Sequence, residues 1–128
     1  MSDYLFAYGT LIPGCEPAHM RPICSRLEPV GEATVRGLLY DLGAFPGVIK
    51  GDGIVRGVVL RVPPDAWPNM DAYEGCPIPG GNEGLFRRVM TRATLTDGRE
   101  LDCWLYVYAL DVRGHRAVPS GDWRRRSL

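Results

Sequence analysis

Hydrophobic side chains in this chain recur in short unbroken runs or at every second position, and only a few stretches space them as a helix would, so the pattern predicts a strand-rich fold. Residues 4–8, Tyr-Leu-Phe-Ala-Tyr, are apolar without a break and are cut off by Gly9, as expected of a central strand buried on both faces. Residues 12–22 carry three prolines and one glycine and read as loop, with a short helix inside 18–27. A long curved strand is expected over 30–42, with Gly37 marking a bend or bulge. Residues 45–49 and the strongly β-branched 54–62 follow as strands, separated by a turn at Gly51-Asp52-Gly53. Pro63-Pro64-Asp65 then opens a helix over 66–74, with Asp65 as its N-cap and Gly75 as its stop, and Trp67, Met70 and Tyr73 three apart give it one face to pack. The prolines and glycines of 76–84 predict a loop placed to act as a lid. Residues 85–96 and 100–110 flank Asp97-Gly98, the strongest hairpin signal in the chain.

About six strands against two helices, most joined by short turns, argue for the α+β class: a small, closed or strongly curled mixed β-barrel with flanking short helices. At 128 residues, 45% apolar and 23% charged, one domain over 1–128 is expected, with residues 110–128 as a polar C-terminal tail. Within that tail Arg124-Arg125-Arg126 reads as a solvated terminus rather than a binding patch. Lysine plus arginine equals aspartate plus glutamate at 15 each, so no long-range charge draws the protein to nucleic acid or to an acidic membrane surface. The first apolar run is too short for a signal peptide or a membrane span, which predicts a cytoplasmic protein with its four cysteines reduced. These cysteines and the two histidines have no metal-ligand spacing. Monomer and homodimer both remain open.

Three places carry candidate chemistry. At Tyr8-Gly9-Thr10-Leu11 a buried strand ends in a glycine, which lets successive backbone amides turn to one side and form a concavity for an anion; an ordinary strand-to-loop turn is the alternative. Asp71 and Glu74 lie three apart near a helix C-terminus, where the helix dipole and each other's charge raise a carboxylate's pKa toward that of a general base; the alternative is a solvated surface pair. Trp104, Tyr106 and Tyr108 share one strand face, as core or as the lining of a pocket, with Tyr108 nearest the strand end and placed to donate a hydrogen bond.

The order of these motifs, with Phe45-Pro46-Gly47-Val48, Gly57 and Phe86-Arg87-Arg88-Val89 between them, resembles the γ-glutamylcyclotransferase-like family, which includes the AIG2-like proteins and the γ-glutamylamine cyclotransferases. The resemblance runs from about Tyr4 to Tyr108. It implies a small mixed barrel that converts a γ-glutamyl amide to 5-oxoproline and a free amine, with neither metal nor cofactor. It also implies that Glu74 is the catalytic acid/base, that Tyr8, Gly9, Thr10 and Leu11 hold the γ-glutamyl group through main-chain atoms, and that Asp71 supports them. Phe86, where the pattern leads one to expect tyrosine, and the loop 76–84 depart from it in the region that shapes the leaving-group side. A small-molecule γ-glutamyl compound is thus the expected partner. The rival expectation is a non-catalytic binding or interaction domain on the same barrel.

Overall fold

In the computed structural model, which describes residues 3–74 and 85–126, a single sheet curls until it meets itself. Its strands are β1 (Tyr4–Ala7), β2 (Glu28–Asp41), β3 (Pro46–Arg61), β4 (Phe86–Leu95), β5 (Glu100–Tyr108) and β6 (Arg116–Ala117). The helices are α1 (Arg21–Cys24) and α2 (Trp67–Glu74). Pairing runs β1 to β3, β3 to β2, β2 to β4, β4 to β5 and back from β5 to β1, which closes a five-stranded mixed barrel; β6 adds to the far end of β2. β5 lies parallel to β1, with Leu5 opposite Trp104, and the β1–β3 and β4–β5 pairs are antiparallel.

Side-chain alternation decides what each strand face buries. Phe6 and Tyr8 point into the barrel with Val35, Val55, Val59 and Leu105. Leu5 and Ala7 point out, where Leu60, Val62, Ala66 and Met70 cover them, so β1 is buried on both faces as its unbroken apolar run predicts. The Asp97-Gly98 hairpin forms as expected: Gly98 takes a φ of 90° and the Asp97 carboxylate accepts from the Arg99 amide at 3.0 Å.

Gly51-Asp52-Gly53 does not form the expected turn, because β3 continues through it. Leu38 faces Ile49 and Arg36 faces Ile54, so residues 50–53 of β3 bulge opposite Gly37 alone. The crowding there explains the glycines: a Cβ on Gly37 would stand 2.9 Å from Val48 Cγ1, and one on Gly53 2.7 Å from the Gly37 carbonyl. The chain reverses instead at residues 42–45, where the Leu42 amide donates to the Phe45 carbonyl at 3.0 Å. Nor is Asp65 an N-cap. A 3-10 turn, Pro64–Ala66, leads into α2 with no side-chain cap, and the Asp65 carboxylate turns outward to Arg26 at 2.7 Å. The expected lid over 76–84 and the stop at Gly75 lie outside the described residues.

The C-terminal segment is more than a solvated tail. Val118 and Trp123 are buried in the barrel-interior cluster, and the Arg56 amide donates to the Gly121 carbonyl at 2.7 Å. Arg124 grips both Glu32 oxygens at 2.9 Å and also pairs with Asp122 at 2.9 Å. Val118 and Trp123 thus keep apolar surface of the barrel interior from water. Among the described residues no helix is long and apolar enough to cross a membrane. Trp123→Ala is expected to cost about 3–5 kcal/mol in urea unfolding, as for large-to-small changes in cores. Alanine at exposed Arg125 should change stability by less than about 0.5 kcal/mol.

Candidate active site

β1 ends against the turn that joins β2 to β3. Gly9 lies so close to Pro46 that a Cβ would stand 2.5 Å from Pro46 Cγ, so only glycine lets the chain leave β1 along this path. The Ile12 amide then closes a turn on the Gly9 carbonyl at 3.0 Å. Among the described residues no hydrogen bond occupies the amides of Thr10 and Leu11 within that turn. Tyr8 is buried and donates its phenol hydrogen to the Tyr106 carbonyl.

Across a cavity of about 400 Å³ from this loop stands the end of α2. Tyr8, Gly9, Thr10 and Leu11 line one side and Tyr73 and Glu74 the other. Phe45, Pro46 and Phe86 supply apolar wall. The two sides are tied together, since Thr10 Oγ1 and the Tyr73 hydroxyl are 2.7 Å apart in a hydrogen bond that either can donate. The sequence thus brings its first two motifs to one cavity.

Asp71 lies one helical turn before Glu74 and is held from the barrel. Its Oδ1 accepts from the Tyr106 hydroxyl at 2.7 Å and from Arg88 Nε at 2.9 Å, while Oδ2 accepts from Arg88 Nη2 at 3.2 Å. The Arg88 guanidinium also lies against two neighbouring indoles, 4.4 Å from the Trp67 ring centre and 4.5 Å from that of Trp104. Glu74 is partly buried, and loss of water around its carboxyl, followed by the negative charge of Asp71, pushes its pKa up to about 7. A carboxyl so tuned holds and releases a proton near neutral pH.

Tyr108 stands elsewhere. Its ring packs on Phe86 and His115, with centroids 5.6 and 6.3 Å away, and it is absent from the cavity lining, which Tyr106 two residues earlier does reach. Three further residues of the site escaped the sequence reading. Arg88 was visible only as part of Phe86-Arg87-Arg88-Val89, and Tyr106 only as one of three aromatic rings in alternation. His19, whose ring lies 5.8 Å from that of Tyr73, sits in a short 3-10 helix, Ala18–Met20, where no motif marked it.

Fold and site together define a class: small closed mixed barrels in which a glycine-turned loop after the first strand faces a carboxylate at a helix end. Residues 5–125 match the model of the family described as gamma-glutamyl cyclotransferase, AIG2-like, and the chain belongs to that family. The gamma-glutamylcyclotransferase family protein YtfP of Escherichia coli K12 is 31% identical over 123 residues, covering 95% of this chain and 96% of its own. The solution structure of YtfP from Escherichia coli superposes with a TM-score of 0.66 at 28% identity, over 98% of this chain and 99% of that one. An uncharacterised protein from Pyrococcus horikoshii shares the fold, with a TM-score of 0.71 at 23% identity over 99% and 94% of the two chains.

The raised pKa of Glu74 has a stability consequence. Folding lifts it from 4.5 to about 7, so between these values the folded state binds more protons than the unfolded one and loses stability as pH rises. Glutamine carries no such cost. Glu74→Gln is therefore expected to be more stable than the parent at pH 8, by up to about 3 kcal/mol, with the advantage vanishing at pH 4. Urea unfolding of both proteins at the two pH values measures it.

Proposed function

We propose that this protein is a γ-glutamylcyclotransferase that closes a γ-glutamyl amide to 5-oxoproline and releases the attached amine, with Glu74 carrying the proton. The observation that supports this most is the placement of a carboxyl with a pKa near 7 on the same cavity as the Gly9–Leu11 turn. The substrate's α-amine is one ring closure away from its own γ-carbonyl. Holding the chain folded makes the attack intramolecular, and much of the barrier is met by positioning.

The amine arrives as an ammonium and must lose a proton before it can attack. Ionised Glu74 accepts that proton, the new N–C bond forms, and the γ-carbonyl oxygen takes up negative charge. When the tetrahedral centre collapses, the old amide C–N bond breaks and Glu74 returns its proton to the departing nitrogen; the ring nitrogen gives up its second proton as well, so the lactam keeps one N–H and the amine leaves as an ammonium. One carboxyl therefore serves both halves of the reaction. The amides of Thr10 and Leu11 are the donors available for substrate oxygens at the turn. Asp71 touches no substrate in this scheme; it holds the helix end and keeps the Glu74 proton affinity high.

Incubation with a panel of γ-glutamyl amino acids and γ-glutamylamines should yield 5-oxoproline from at least one of them. Glu74→Gln should lower kcat about 10³-fold while substrate affinity stays within a few fold, because shape is kept and proton transfer is lost. The parent's kcat/KM should rise with pH through an apparent pKa of about 7. Absence of product from the whole panel at high protein concentration would instead favour a non-catalytic binding domain.

A further inference from the structure

Resting on the cyclotransferase reading, we infer that Tyr73 is a positioning residue: it donates its phenol hydrogen to Thr10 Oγ1 and so leaves the Thr10 hydroxyl hydrogen for the α-carboxylate of the γ-glutamyl group. A count of hydrogens leads there. Thr10 Oγ1 and the Tyr73 hydroxyl lie 2.7 Å apart, and among the described residues neither has a second hydrogen-bond partner. Each of these oxygens carries one hydrogen and can accept two more. One hydrogen lies between them, so the other is unspent, and both residues line the cavity.

Acidity decides which of the two gives. A phenol is a far stronger acid than an alkyl alcohol, so Tyr73 donates and Thr10 receives. Burial holds the Tyr73 pKa above its ordinary value, and the phenol keeps that hydrogen at neutral pH. Its ring is set in place by the end of α2 and by His19, which packs on it with centroids 5.8 Å apart. Thr10 then presents two donors, its amide and its hydroxyl, beside the amide of Leu11. A carboxylate offers about four lone-pair positions, so two amides leave room for the hydroxyl, and a hydrogen bond to a charged acceptor is the stronger kind. Without Tyr73 the Thr10 hydroxyl is a free rotor. With it, the hydrogen has one direction left.

The test takes the γ-glutamyl compound that the parent turns over fastest and the same compound with its α-carboxylate replaced by a carboxamide, which keeps the α-amine and the bond to be broken. The readout is the ratio of the two kcat/KM values. Thr10→Val should lower the parent's preference for the carboxylate about tenfold, Tyr73→Phe about fivefold, and the double variant no further than Thr10→Val alone. Thr10→Ser keeps the hydroxyl and should retain most of the preference. If the Thr10–Tyr73 bond only tied the loop to the helix, both compounds would slow equally and the ratio would stay at the parent's value, which would overturn the inference. A loss of preference in Tyr73→Phe without one in Thr10→Val would overturn it too, as would a parent that does not prefer the carboxylate. In each of these cases the cyclotransferase reading would stand. No 5-oxoproline from any γ-glutamyl compound would overturn both.

Discussion

The site depends on how the Asp71 carboxylate is held. α2 is eight residues long and buries Met70 alone, far short of what an isolated helix needs for stability in water. Its direction comes from the barrel: Arg88 on β4 and Tyr106 on β5 meet Asp71 with three hydrogen bonds, and the guanidinium also rests against the Trp67 and Trp104 rings. A bidentate arginine pair that is also stacked has little freedom to slide. Glu74, one turn further on, inherits its position from that clamp. The same aspartate supplies the negative charge that, after burial, raises the Glu74 pKa.

Strand geometry explains why the helix end arrives at the right place. β3 ends with Arg61 opposite Tyr4, at the start of β1, so α2 begins at the end of the barrel remote from the Gly9 turn. It must travel back the length of β1. Four strand residues span about 13 Å and eight helical residues about 12 Å, so α2 stops beside the turn where β1 ends. The contacts follow that path in order: Trp67 near Trp104, Asp71 on Tyr106, and Tyr73 on Thr10. Closing the barrel through the parallel β1–β5 contact puts Trp104 and Tyr106 on this route.

A carboxylate in a cavity that no lysine or arginine lines among the described residues is a demanding arrangement. Burial disfavours its charge, which is what brings its proton affinity to the middle of the pH range, and any neighbouring lysine or arginine would undo the shift. Arg88 is turned toward Asp71 and fixes the helix, while the Glu74 shift comes from burial and then from the charge of Asp71. The opposite wall offers the backbone amides of Thr10 and Leu11, donors that act without adding a positive side chain.

Local patterns in the chain were sufficient for the both-sides-buried first strand, the Asp97-Gly98 hairpin, the helix that carries Asp71 and Glu74 and the glycine turn after Tyr8, because each follows from side-chain period or backbone freedom over a few neighbouring residues. The unbroken course of β3 through Gly51 and Gly53 was not legible, since it arises from contact with Gly37 across the strand pair. The burial of Trp123 in the barrel end was hidden in a tail that reads as polar by composition. Of the aromatic residues on β5, it is Tyr106 that reaches the cavity and Asp71, where the sequence pointed to Tyr108 as a pocket donor, a choice that alternation cannot make because both lie on one face. By itself the sequence determined the elements and the two motifs that face one another. Which residues clamp the helix, and how far the Glu74 carboxyl is shielded from water, were decided by tertiary structure, because both depend on distances between segments far apart in the chain.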